Sequence, residues 1–137
     1  MIVVAILATL AAIAVPKFTM MVEKAHEGAT KGNLGAIKSA ATLYYGNNQG
    51  LWPTTLYADP TFSLSNYLEI MPGVKVTGVF ISNAPNPAGS IVTYTTNLSV
   101  PTGSSSGWLY DSAAGAIYVN STIRDSQSLA YSFYGFE

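Results

Sequence analysis

The residues that could do chemistry are few, and their surroundings are wrong for it. Gly103-Ser104-Ser105-Ser106-Gly107 matches the G-x-S-x-G pattern of a nucleophilic serine, but that elbow needs a strand before it, a helix after it and a histidine base. The one histidine is His26. It falls in a long helical pattern with only Glu23 at i−3 as a co-ligand, so neither a hydrolase base nor a metal site is expected there. Gly28, Gly32 and Gly35 lie in the same helical pattern and lack the order of a phosphate-binding loop. Asp111, Asn120 and Asp125 are the candidate calcium ligands, but no D-x-[DN]-x-[DN]-G loop joins them. Without cysteine there is neither disulfide nor thiolate. Asn97-Leu98-Ser99 and Asn120-Ser121-Thr122 are N-x-S/T sequons, meaningful only where a host glycosylates secreted proteins. No catalytic residue, metal or cofactor is expected, and the chain does not read as an enzyme.

Charge offers a second kind of chemistry. Lys17, Lys24, Lys31 and Lys38 recur every seven residues, so on a helix they drift only about 20° per step and form a nearly straight cationic stripe. That stripe is either a solvated face or a contact surface for Asp59, Glu69 or Asp125, on the same chain or on a neighbour. Glu27 stands four residues before Lys31 and is expected to pair with it, worth a few tenths of a kcal/mol. Six Lys plus Arg against seven Asp plus Glu give a formal charge of −1, which argues against nucleic acid as a partner.

These residues must be positioned by an unusual N-terminus. Only 9% of the 137 residues are charged and 49% are hydrophobic, against a usual charged share of roughly 25%. From Met1 to Val15 every residue is apolar except Thr9. Fifteen residues span only about 22 Å as a helix, short of the ~20 residues of a full membrane crossing, so further residues are expected upstream. Ala12-Ile13-Ala14 offers the A-x-A pattern of a cleaved signal, but no basic segment precedes the apolar run. Helical periodicity continues past Pro16, where a kink or local melting is expected. Phe18, Val22, Ala25, Ala29, Gly32, Ala36, Ala40 and Leu43 then recur at steps of three and four on one face. That face is lined mainly by small side chains, which allow close approach of another backbone.

One helix is thus expected over residues 1–45, apolar from 1 to 22, followed by a globular head over 46–137. Within the head, 46–73 is a loop region and 74–137 carries a sheet. Gly46 and the run to Gly50 end the helix. A short helix is expected around Thr61–Leu68. Strands are expected at Val74–Ile81, Ile91–Asn97, and Trp108–Asp111 with Ala116–Asn120 as its hairpin mate across Asp111–Gly115. The fold class is α+β, a long helix packed through its polar half on a small antiparallel sheet. The aromatic tail Tyr131–Phe136 is expected as a last strand on that sheet.

Met1-Ile2-Val3-Val4-Ala5-Ile6 and Ala11-Ala12-Ile13-Ala14-Val15-Pro16-Lys17-Phe18 closely resemble the N-terminal helix of type IV pilins and type II secretion pseudopilins. Tyr44–Thr54 is similar to the segment where many such subunits leave the helix, and Gly107–Tyr110 with Ile117–Asn120 to a hairpin near the C-terminus of some members. The resemblance implies a precursor cut by a prepilin peptidase and held in the inner membrane. The assembly machinery then extrudes it into an extracellular helical homopolymer for adhesion, motility or surface attachment. Met1, Ile2, Val3, Val4, Ile6, Leu7, Leu10, Ile13, Val15 and Phe18 would pack in the filament core. Family members usually carry several residues before the counterpart of Met1, among them a glutamate two positions upstream that pairs with a neighbour's N-terminal amine. Ala8 stands where the family usually has glycine, so melting on assembly is expected only near Pro16. The tail does not match the acidic calcium-binding loop of major pseudopilins, which favours a pilin over a pseudopilin. A membrane-anchored binding module using Trp52, Tyr57 and Trp108 is the reading from another class.

Overall fold

A computed structural model describes residues 1–56, 64–75, 92–95 and 107–135. Helix α1 runs over Ile2–Asn47, about 69 Å at 1.5 Å per residue. It stays one element through Pro16, although proline removes the donor that the carbonyl four residues earlier would use. Thr19 Oγ bonds the Pro16 carbonyl at 2.9 Å and Thr9 Oγ that of Ile6 at 2.8 Å. The isolated chain is therefore helical across the position expected to kink.

The helix ends two residues later than expected, with Gly46 inside it. Asn48 donates both its backbone N–H and its side-chain amide to the Tyr44 carbonyl at 2.9 Å. Gln49 and Gly50 then take left-handed φ values of 57° and 82°, turning the chain back across the helix end.

Three strands form one sheet in the order β1 (Val92–Thr95), β2 (Trp108–Asp111), β3 (Ala116–Val119). The hairpin β2–β3 is antiparallel, with Trp108 opposite Val119 and Asp111 opposite Ala116, where the sequence places it. Strand β1 joins β2 in parallel, so the sheet is mixed where an antiparallel one was expected. Residues 96–107 link the two and are long enough for the crossover that parallel pairing requires. The expected strand at Val74–Ile81 is not one at Val74 and Lys75, and its remaining residues lie outside those described. A 3₁₀ turn at Leu64–Asn66 stands where a short helix was expected. The tail is a 3₁₀ turn at Tyr131–Phe133, not a strand.

The core lies between the C-terminal half of α1 and the sheet. Leu34, Ile37, Ala40, Ala41 and Tyr44 pack with Leu56, Leu64, Val74, Trp108, Tyr110, Ile117, Val119, Tyr131 and Tyr134. Buried rings bring their polar ends with them. The Trp108 indole N–H donates to the Pro72 carbonyl at 2.7 Å, and the Tyr110 hydroxyl to that of Pro53 at 2.6 Å. The α+β arrangement is the expected one. The head, however, overlaps the small-residue face only in part: Leu34, Ile37 and Tyr44, with Ala40 of that face, pack toward the sheet, leaving Gly32, Ala36 and Leu43 exposed.

Candidate assembly surface

The first 21 residues of the chain are exposed without exception. Met1, Ile2, Val3, Val4, Ile6, Leu7, Leu10, Ile13, Val15 and Phe18 are all among the exposed large hydrophobics, Leu10 at 60% and Phe18 at 68%. An 18-residue window of this helix is long and apolar enough to cross a membrane, and none of it is buried within the chain. Burying such side chains is worth about 1.5–3 kcal/mol each, a gain that the folded monomer does not collect. This half of α1 is an apolar surface that nothing among the described residues covers.

Polar bonds fix the junction where the helix enters the head. Thr30, the first fully buried residue, gives its hydroxyl to the Lys75 carbonyl at 2.8 Å and accepts the Lys75 N–H at 3.1 Å. Asn33 donates to the Gly73 carbonyl at 2.8 Å. Glu27 does not spend its carboxylate on Lys31 as expected. One oxygen accepts the Ser126 N–H at 2.7 Å and the other the Ser126 hydroxyl at 3.0 Å. Two preorganised donors on the tail outcompete a solvated ammonium.

The lysine stripe divides at the same junction. Lys31 lies over the Tyr134 ring, 4.6 Å from its centroid, and Lys38 donates to the Gly135 carbonyl at 2.9 Å. Lys17 and Lys24 are exposed on the half that the head does not reach. Of the acidic partners considered, Asp125 feels the Lys31 charge, Glu69 is exposed, and Asp59 lies outside the described residues.

Asp125 organises the tail. Its carboxylate accepts the Gln127 and Leu129 N–H groups at 2.8 and 2.9 Å and the Tyr134 hydroxyl at 2.6 Å. Desolvation works against its charged form, but these bonds and Lys31 outweigh it and hold the carboxyl below its ordinary value. Burial, then the bond to Asp125, pushes the Tyr134 phenol far up. Burial and the Asp111 charge raise Tyr118.

The enzyme-like signals stay scattered. No group of three or more His, Asp or Glu that could hold a metal occurs among the described residues. Asp111 caps its own hairpin turn through the Ala113 N–H at 2.9 Å, and Asp125 is committed to the tail. In the G-x-S-x-G segment, residues 103–106 lie outside those described. Sequence reasoning missed Thr30, Glu27–Ser126 and the Asp125 turn. Only the last had a local signal, an aspartate followed by Ser126, Gln127 and Ser128, a composition that favours turns.

No family model, curated protein or solved structure matches the chain.

Proposed function

We propose that this chain is the structural subunit of a filament of the type IV pilin kind, a major pilin that waits in a membrane through α1 and then polymerises through the same helix. The observation that carries the reading is the continuity of α1: its exposed apolar half and the half that anchors the head are one uninterrupted helix. A helix seated in lipid can move into a bundle of like helices without exposing its apolar side chains to water, because both surroundings bury them. The pilin-like motif from Met1 to Phe18 supports the same reading, and Lys17 and Lys24 remain exposed for contacts between subunits. Peptidase processing, methylation of the new N-terminus and surface attachment follow as parts of this proposal. Pro16 is then the place where helical bonds open on assembly.

Negative-stain microscopy of sheared surface material tests it. Long fibres built from this chain are expected. Since the chain has no cysteine, a single Leu10→Cys variant should crosslink to dimers in those fibres. Short fibres seen only on overexpression would point to a pseudopilin. A chain found only in the membrane fraction would overturn polymerisation and favour an anchored module.

A further inference from the structure

Charge is divided unevenly along the chain. Residues 1–47 carry four lysines against two glutamates, a formal +2, and residues 48–137 carry two cations against five acids, a formal −3. Together they make the −1 of the whole chain. From this division we infer that Lys24 of one copy pairs with Glu69 on the head of a second, parallel copy displaced along the helix axis, an inference that rests on the filament reading above.

Elimination points to these two residues. Lys31 and Lys38 are held by Tyr134 and Gly135 of their own head. Lys24, next below Lys31 on the same stripe, is exposed and has no hydrogen-bonding or charged partner among the described residues. Lys17 lies seven residues deeper, within the apolar half. Of the head's described acids, Asp111 is buried and caps its turn, and Asp125 is committed to the tail. Glu69 is exposed and, like Lys24, has no such partner among the described residues. Each charge also has exposed apolar surface beside it, Ile70 next to Glu69, and Met20 and Met21 below Lys24. A contact there pairs the charges and covers apolar area at once.

The path of the head along α1 bounds the displacement. The Tyr67 hydroxyl accepts the Asn47 amide at 2.9 Å, and the Gly73 carbonyl accepts the Asn33 amide at 2.8 Å. Glu69 thus stands between the levels of Asn47 and Asn33, nine to 23 residues above Lys24, or about 14 to 35 Å at 1.5 Å per residue. Sliding a second copy by that distance toward the N-terminus of the first brings its Glu69 level with Lys24. Its head then lies beside the half of α1 that the first copy's own head leaves bare. Two copies in register would instead set lysine stripe beside lysine stripe and acidic head beside acidic head, which like charges oppose. Copies seated in one bilayer are held at a common depth by their apolar halves, so the pair forms only when one copy leaves that depth. The contact is heterologous, each copy offering Glu69 to one neighbour and Lys24 to another, the kind that builds an open polymer where the rotation does not close a ring.

Carbodiimide coupling of the unaltered chain tests the pair, since it joins a lysine to a carboxylate only where the two touch. Sheared fibres and the membrane fraction of the same cells are coupled, separated under denaturing conditions and peptide-mapped. A covalent dimer with Lys24 linked to Glu69 is expected from the fibres and not from the membrane fraction. Fibres that yield no such link would overturn the inference, as would the same dimer in equal yield from the membrane fraction, or the link within a single chain. Lys24→Glu should lower fibre yield about fivefold, the effect of one lost exposed ion pair, and adding Glu69→Lys to the same chain should restore it. A doubly changed chain no better than the singly changed one would overturn the pairing as well. A chain that forms no fibres removes the filament reading and this inference together, whereas fibres lacking the link remove this inference alone.

Discussion

The two halves of α1 share one hydrogen-bond ladder and little else. From Ile2 to Ala29 no residue is buried, while over the next fifteen residues Thr30, Leu34, Ile37, Ala40, Ala41 and Tyr44 all are. The second half is helical because a head packs on one of its faces, and that packing supplies most of the stability of a helix in a protein. Apart from Glu27 at its end, the first half has only local bonds and good helix formers such as Ala, Leu and Met, added as a continuation of a helix already nucleated by the head. Hydrophobicity is therefore a poor guide to which half folds the chain: the more apolar half contributes least to the monomer. Its side chains are instead available to a second environment.

The sharpest test of that division is one substitution made in each half. Ile37 is wholly buried and Ile6 is 53% exposed. Ile37→Ala should destabilise the head by about 2–5 kcal/mol, as deletion of a buried aliphatic side chain does, read from urea unfolding by Trp108 fluorescence. Ile6→Ala should leave that transition within about 0.5 kcal/mol of the parent and instead reduce membrane retention and fibre yield. Equal effects on unfolding would break the comparison.

The hairpin β2–β3 was legible because two short apolar, aromatic-bearing runs flank a glycine-ended five-residue turn over Trp108–Val119. The direction of β1 was not, since a period of two says which face a residue takes and nothing of parallel or antiparallel pairing. The tail carried a signal that its aromatic content masked: Tyr131 and Tyr134 are three apart, the spacing that a 3₁₀ turn places on one side. On α1 the spacing of Leu34, Ile37, Ala41 and Tyr44 identifies the head-facing side. The small-residue pattern instead marks a face that the head covers only at Ala40 and leaves open at Gly32, Ala36 and Leu43. Thr30 with Lys75 and Glu27 with Ser126 join residues 45 and 99 positions apart, and no local pattern encodes such pairs.

Glu27 sits at the border between the halves, so its removal measures how firmly the head grips the helix. Glu27→Ala deletes both bonds to Ser126, one of them to a backbone N–H. At an exposed site the loss should be about 1 kcal/mol. Amide exchange should quicken at Ser126 and stay slow at Ile37. Uniform quickening would mean that the border is not local.

Gly32 tests whether the exposed face of the second half belongs to the monomer at all. A methyl group there would meet nothing within 4 Å, and alanine is the better helix former by up to ~1 kcal/mol. Gly32→Ala should therefore stabilise the isolated chain by about 0.5–1 kcal/mol. If fibre yield falls while monomer stability rises, the small-residue face is a contact between subunits. If both rise, that face is merely solvated and the division between the halves is cleaner than proposed.

The smallest effect expected is one of acid. Asp125 has a folded pKa below its ordinary 3.8, so its contribution to stability is fully present above that value and is lost as pH falls through the lower, folded one. The groups facing it are Tyr134, with Tyr131 beside that ring, and Lys31 from α1. As the pH falls through that lowered value the carboxylate stops accepting the Gln127 and Leu129 N–H groups, and exchange of those two amides should rise ahead of any change in the core. Asp125→Asn keeps an acceptor for the Tyr134 hydroxyl but removes the titration, so it should abolish the acid step at these amides. Residues 2–22 of α1, whose only ionisable side chain is Lys17, should show no such step, and finding one there would mean that the two halves communicate through the helix.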